Sequence, residues 1–203
     1  TIDFKVLSRD NTSNDTLTQM GDYSSSTWNE GVTHAFADNG TYTVYWGSSA
    51  RESVENSNGS AWRNETLITV GGSYEGNSSP VSAVPPVVQV QDNTQFSYQL
   101  VSTDTDGDSM NYRWGTLAEF FSGSGDFTEP TGMTLSSSGL VSWDVRDTVL
   151  CSGCSQNDVN DEDDLWVAAV MVEDLHDNGS VKSHIPVDFF FKTASASNDP
   201  PTM

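Results

Sequence analysis

The chain predicts an all-β protein: two antiparallel β-sandwich units preceded by an N-terminal strand and a polar linker. Three observations lead there. Short runs of Val, Phe, Tyr and Trp alternate with polar residues, Gly, Asp and Pro bound those runs, and no long stretch carries a helical period. The clearest case starts at Val87-Val88-Gln89-Val90-Gln91 and passes through Thr103-Asp104-Thr105-Asp106-Gly107-Asp108 to Met110-Asn111-Tyr112-Arg113-Trp114. It reads as strand, strand, tight acidic turn, strand.

Taken in order, residues 1–7 form an amphipathic strand, with Ile2, Phe4 and Val6 facing one way and Asp3 and Lys5 the other. Residues 8–27 are too poor in apolar side chains to pack a core and read as a polar linker. Residues 28–83 form the first unit. There Val32-Thr33-His34-Ala35-Phe36 and Thr41-Tyr42-Thr43-Val44-Tyr45-Trp46 flank the turn Ala37-Asp38-Asn39-Gly40, and Arg63 to Val70 ends at Gly71-Gly72. The spacing Asp38-x-Gly40-x-Tyr42 suits a tyrosine corner. Pro85-Pro86 marks a boundary, because neither residue donates to a ladder.

Residues 84–193 form the second unit, with strands expected at Val87 to Gln91, Phe96 to Val101, Met110 to Leu117, Gly139 to Val145, Asp164 to Asp174 and Val181 to Lys192. In the last, Val181, Ile185, Val187, Phe189 and Phe191 share one parity, with Ser183 the polar exception. Residues 194–203 read as a tail.

The net charge of −21, with only eight Lys and Arg among 203 residues, excludes a nucleic-acid partner, since neutralising phosphates needs a basic face. It argues equally against an anionic membrane surface. No run approaches the ~20 apolar residues of a membrane span, and the opening at Thr1 without Met is what a processed product shows. Cys151 and Cys154, in Cys-Ser-Gly-Cys within a polar loop, are expected to close a small disulfide ring in an oxidising compartment. Asn-x-Ser/Thr acceptors at Asn11, Asn14, Asn39, Asn58, Asn64, Asn77 and Asn178 point to a glycosylated, extracellular surface, against chance occurrence in a Ser/Thr-rich chain.

For chemistry the richest stretch is Asp104, Asp106 and Asp108, closed by Gly107, with Asp174 joining if the late strand lies alongside. These oxygens suit a hard cation such as calcium, and equally suit a turn whose carboxylates cap backbone N–H groups. The run Asn160 to Asp164 reads as a solvated loop, and His34, His176 and His184 show no ligand spacing. The Gly/Ser-rich stretch Phe121 to Gly125 lacks the strand-to-helix context of a nucleophile elbow, so no enzyme is expected. Trp28, Tyr45, Trp46 and Trp62 read as core aromatics, or as a sugar-stacking platform.

Val32 to Val44 resembles the closing strands of PKD-like Ig modules, which end in His-x-Phe…Gly-x-Tyr-x-Val. Ser79 to Val90, Asp104-x-Asp106-Gly107-Asp108, Tyr112-Arg113-Trp114, Pro130-Thr131-Gly132-Met133 and Gly139-Leu140-Val141-Ser142-Trp143 resemble the cadherin-like modules of large secreted bacterial surface proteins. The resemblance implies two Ig-like units, and acidic turns that in such relatives can bind calcium. The layout of strand, linker and Ig-like units is also similar to subunits of glycosylated, pilus-like fibrils recovered from fresh water, assembled by donor-strand exchange. It implies a self-assembling, cell-surface structural protein whose donor residues are Ile2, Phe4 and Val6. The alternative is a monomeric adhesive module binding carbohydrate or calcium. A fold-back of the strand in cis is the plainer fate for that face.

Overall fold

The computed structural model describes residues 4–10, 17–22, 34–49, 51, 53–57, 59, 61–91, 94–123, 127–145 and 164–194, the first two spans as backbone. The protein is all-β, in mostly antiparallel sheets with a single turn of α-helix among the described residues. Ile2, Asn11, Asn14, Trp28, Asn58, Cys151 and Cys154 lie outside them. The chain divides into two compact units, Thr1–Asp38 and Asn39–Met203.

In the first unit β1 (Phe4–Asp10) pairs antiparallel with β2 (Leu17–Asp22), with a bulge between Val6 and Ser8. The expected linker therefore contains a strand, and the N-terminal strand has a partner within its own chain. Leu17 and Met20 are too few to announce β2 by hydrophobic alternation, so ladder pairing rather than pattern defines it.

The second unit is a two-layered, sandwich-like body. Its strands are β3 (Gly40–Ser48), β4 (Trp62–Val70), β5 (Val81–Ser82), β6 (Val87–Gln91), β7 (Gln95–Gln99), β8 (Ser102–Thr103) and β9 (Ser109–Trp114). The one-turn helix α1 (Leu117–Phe120) follows, then β10 (Thr134–Leu135), β11 (Leu140–Asp144), β12 (Leu165–Leu175) and β13 (Val181–Ala194). The larger sheet runs β3-β4-β13-β12-β9, with β6 lying parallel on the far half of β13; the smaller runs β10-β11-β7, and β5 pairs with β8.

Alternation places Val187, Phe189 and Phe191 of β13 and Trp166, Ala168, Val170 and Val172 of β12 on the inner face, against Val141 and Trp143 of β11. Phe191 has no exposed surface and meets Phe96, Tyr98, Trp143 and Phe189 at ring centroid distances of 5.0–6.5 Å. Each large side chain buried this way contributes about 1.5–3 kcal/mol. The opposite face of β12 is also buried: Val167, Ala169 and Met171 pack beneath Phe120 and Phe121. Burial on both faces explains why Leu165 to Val172 reads as an unbroken apolar run rather than an alternating one.

The boundary expected at Pro85-Pro86 falls inside this unit. Those prolines stand between β5, paired with β8, and β6, paired with β13, where the chain changes ladders and a missing N–H costs nothing. Nor do β3 and β4 make a sandwich of their own among the described residues; they extend the larger sheet beyond β13, joined by the one ladder pair His184↔Leu67. Residues 34–36, expected to be a strand, carry no strand structure.

The connection between β3 and β4 tucks over the exposed rim of β12. There β9 covers Val170–Leu175, and Gly115 N–H donates to Ala169 O at 2.8 Å. Beyond β9, the Asn56 side chain stands in for a strand: its amide oxygen accepts from Val167 N–H at 2.8 Å and its Nδ2 donates to Val167 O at 3.0 Å. Glu55 N–H then donates to Leu165 O at 3.0 Å, so the β12 backbone groups at Leu165, Val167 and Ala169 that lie beyond β9 find partners here.

Candidate functional site

The acidic turn between β8 and β9 is where the sequence-predicted residues come together. Asp104, Asp106 and Asp108 each bring a carboxylate oxygen within 4.8 Å of the others. Gly107, at φ 80°, permits the reversal. Asp104 Oδ1 accepts from the N–H groups of Asp106 and Asp108 at 2.9 and 3.1 Å, so the turn caps itself as the second reading anticipated. Asp106 Oδ2 accepts from Ser78 N–H at 2.5 Å, tying the turn to the segment before β5.

The same cluster carries its own cation. Lys182 Nζ lies 2.5 Å from Asp108 Oδ1, and its pKa is raised, first by that bond and further by the nearby carboxylates of Asp174 and Asp104. Two oxygens, Asp104 Oδ2 and Asp108 Oδ2, are buried without a hydrogen-bond partner. A hard cation at these oxygens would share the Asp108 carboxylate with Lys182, which holds its other oxygen. A cleft of about 280 Å³ adjoins the turn, lined by Tyr74, Asn77, Asp106, Asp108, His176 and Lys182.

Asp174 does not enter this cluster as a free ligand. It is fully buried, its Oδ1 accepts from Ser183 N–H at 2.5 Å and its Oδ2 from Asn77 Nδ2 at 2.9 Å. Its carboxylate locks the β12–β13 bulge and the segment before β5 together. Ser183, the polar exception in β13, is itself buried and donates its hydroxyl to Ser79 Oγ at 3.0 Å.

The described glycan acceptors separate by environment. Asn39 and Asn178 are exposed. Asn178 Oδ1 accepts from both Ser180 N–H and Ser180 Oγ in a surface turn. Asn77 spends on Asp174 the very nitrogen that a glycan would occupy, and Asn64, half-buried in β4, donates its amide to Asp188 Oδ2 at 3.2 Å and to Arg63 O at 2.8 Å. Accessibility therefore favours Asn39 and Asn178.

The three histidines are dispersed. His34 meets Phe36 edge-on at 4.6 Å and His176 meets Tyr74 at 5.0 Å. His184 is buried at the β4–β13 junction; burial lowers its pKa and keeps it neutral. The aromatics near β3 are not core. Tyr45 is 61% and Trp46 45% exposed, and strand alternation sends them to opposite faces, so they form no single stacking platform. Trp46 packs edge-on against Trp62 at 4.8 Å, and the Arg63 guanidinium lies 3.7 Å from the Tyr45 ring centroid.

Two ionic networks gave no signal in the sequence, because each is closed by a carboxylate far along the chain, Glu173 for Arg113 and Asp188 for Arg51. Arg113 donates bidentately to Glu119 at 2.9 and 2.7 Å and through Nε to Glu173 at 2.6 Å, while Asn111 Nδ2 donates to Glu173 at 2.7 Å. Thr116 and Glu119 form a capping box on α1; its Thr-x-x-Glu spacing could have been read. Arg51, 6% exposed, donates bidentately to Asp188 at 2.9 and 2.7 Å, and Trp62 Nε1 donates to the same carboxylate at 3.0 Å. These networks fasten loops onto the outer face of the larger sheet. No helix among the described residues is long and apolar enough to cross a membrane. No protein-family model and no curated protein matches the chain.

Proposed function

We propose that the chain is a structural subunit of an extracellular, pilus-like fibril, polymerising by donation of its N-terminal strand to an Ig-like body of another copy. The observation that carries this reading is the separation of Thr1–Asp38 from the body as a unit whose only described sheet is β1–β2. A lone two-stranded sheet is marginal in water, and among the described residues each of its strands is paired on one side only. Donation need not dissolve β1–β2: the free edge of β1 can add to a second sheet while β2 stays paired, with ladder bonds supplying affinity and alternate side chains supplying register. Repeated head to tail, such a contact does not close and yields a filament. The order β6 parallel to β13, β13 beside β12, and β7 facing them across the core supports an Ig-like description of the body. The acidic, Asn-x-Ser/Thr-rich surface supports a place outside the cell.

Deleting Thr1 to Leu7 is expected to leave a soluble body with an unchanged β-type far-UV spectrum and no filaments by negative-stain microscopy. Filaments of undiminished length from the truncated chain would contradict strand donation. A second reading, a monomeric module that binds calcium, is favoured by the two unpartnered oxygens of Asp104 and Asp108. Calorimetric titration decides it: a heat of calcium binding that grows in Lys182→Ala, where the competing ammonium is gone, supports the cation site, and no heat in either chain rejects it.

A further inference from the structure

Beyond strand donation, we propose that Asn178 is an N-glycan acceptor whose first sugar docks on the Tyr74–His176 ring pair, so that the modification fastens the β12–β13 turn to the turn at Gly72–Tyr74. The proposal shares with the fibril reading only a place outside the cytoplasm.

The acceptor stands on a built turn. Between β12 and β13, His176 N–H donates to Ser180 O and Gly179 N–H to His176 O, both at 2.8 Å, and Gly179 takes φ 82°. Asp177, Asn178, Gly179 and Ser180 are exposed. Asn178 Oδ1 accepts from Ser180 N–H at 3.0 Å and from Ser180 Oγ at 2.7 Å, so the bonds described for this side chain engage its oxygen and not Nδ2, the atom that a glycan joins. The same two bonds fix the orientation of the amide. A sugar joined to Nδ2 therefore leaves in one direction and has less freedom to lose on docking.

A receiving surface adjoins it. A hollow of about 370 Å³, within the roughly 300–1,000 Å³ of small-molecule sites, is lined by Tyr74, His176, Asp177, Asn178 and Ser180. Tyr74 ends the single 3-10 turn Gly72–Tyr74, held by Tyr74 N–H to Gly71 O at 3.2 Å and by Asn77 N–H to Tyr74 O at 3.0 Å. Its ring meets His176 edge-on, with centroids 5.0 Å apart and planes inclined at 61°. Both side chains are half-buried, so the rings are held in place and remain reachable. The cleft of about 280 Å³ beside the acidic turn shares Tyr74 and His176, so the pair borders two hollows.

The chemistry of this seat selects a neutral sugar. The C–H groups on one face of a pyranose carry slight positive charge and pack on the negative face of an aromatic ring. Its hydroxyls can donate to Asp177 in the hollow and to Asp106 and Asp108 in the adjoining cleft. An acidic sugar would be repelled by those carboxylates, in a chain of net charge −21. Attachment is a group transfer from a lipid-diphosphate-linked sugar. The bond from Asn178 Nδ2 to the anomeric carbon forms, the bond from that carbon to the diphosphate oxygen breaks, one amide proton passes to a base of the transferase, and the lipid diphosphate leaves with no change of oxidation state.

The test compares the full chain secreted by a host that N-glycosylates with the same chain secreted by a host that lacks the transferase. Four forms are made, the native chain, Tyr74→Ala, Tyr74→Phe and Asn178→Gln, with circular dichroism confirming the fold of each. Glycopeptide mass spectrometry is expected to find Asn178 occupied in the native chain and in both Tyr74 variants. In urea unfolding, glycosylation is expected to raise the folding constant about tenfold more in the native and Tyr74→Phe chains than in Tyr74→Ala and Asn178→Gln. Each ratio is taken within one sequence, so the cost of the substitution itself cancels, and glycans that act independently elsewhere drop out of the comparison. Proton spectra of the native glycoprotein supply a readout that needs no variant: the ring protons of the first sugar are expected upfield of their free positions, shifted by the Tyr74 ring current. An unoccupied Asn178, an equal gain in Tyr74→Ala or Asn178→Gln, or sugar protons at their free positions would each overturn the proposal. None of these readouts scores filaments, so strand donation is tested apart from it.

Discussion

Arg113→Ala is expected to destabilise the body by about 3 kcal/mol, seen as a lower urea midpoint at neutral pH, because it strands two carboxylates that the body otherwise shields. The side chains of Glu119 and Glu173 are 12 and 9% exposed, and each is bonded to the guanidinium. Burial alone would push the Glu119 carboxyl up; the Arg113 bonds, joined by those from the Thr116 backbone and hydroxyl, outweigh it and hold the pKa at about 2. The Arg113 side chain is itself 33% exposed, so solvent screens part of the pairing and the low end of the range for a broken buried pair applies.

The sign of the pH dependence follows. A carboxyl whose pKa is lowered on folding contributes its stability in full above its ordinary value of 4.5, and loses it as pH falls through about 2. The gap between the native chain and Arg113→Ala is therefore widest above about pH 5 and narrows toward pH 2. Arg113→Lys should recover only part of it, since one ammonium cannot serve the fork to Glu119 and the Nε bond to Glu173 together. A gap constant from pH 7 to pH 2 would show that Arg113 acts through packing rather than charge.

What the sequence made legible was local. The strands at 87–91, 164–174 and 181–192 carried their own signals, either strict alternation or a continuous apolar run, and the ladders formed there. The acidic turn was legible as a turn, because an Asx cap needs only residues two and four apart, as in Asp104 to Asp106 and Asp108. Partnership across the chain was not. Nothing in Trp62 to Val70 says that it lies against His184, so the Pro85-Pro86 pair was read as a domain boundary when it marks a change of ladder. Tyr45 and Trp46 read as core because aromatics usually are, yet burial is decided by what packs against a strand, and both side chains are largely exposed on β3. Asp174 looked like a ligand because it is acidic, while its neighbours Ser183 and Asn77 make it a structural acceptor.

Asn56 is the residue the sequence hid most completely, and its substitution is expected to be at least as damaging as that of Arg113. It is 1% exposed and serves three backbone groups: it accepts from Val167 N–H and donates to Val167 O and to Thr128 O, the last at 3.1 Å. Asn56→Ala leaves an N–H and two carbonyls unpaired beside the central strand. At roughly 1–3 kcal/mol for each buried orphan, and without full additivity, a loss of about 3–5 kcal/mol follows. Asn56→Asp separates hydrogen bonding from shape. It can still accept from Val167 N–H, but its second oxygen meets two carbonyl oxygens with no proton between them, so the carboxylate is repelled and its pKa rises on folding. A group whose folded pKa is raised contributes stability that is present at low pH and lost as pH rises through the folded value. Asn56→Asp should therefore be weakest relative to the native chain at neutral pH and recover as pH falls toward 5, above the range in which Glu119 gives way. Urea unfolding of both variants at pH 7 and pH 5 reads this directly. If Asn56→Asp loses as much at pH 5 as at pH 7, the side chain is held by packing alone and does not complete the edge of β12.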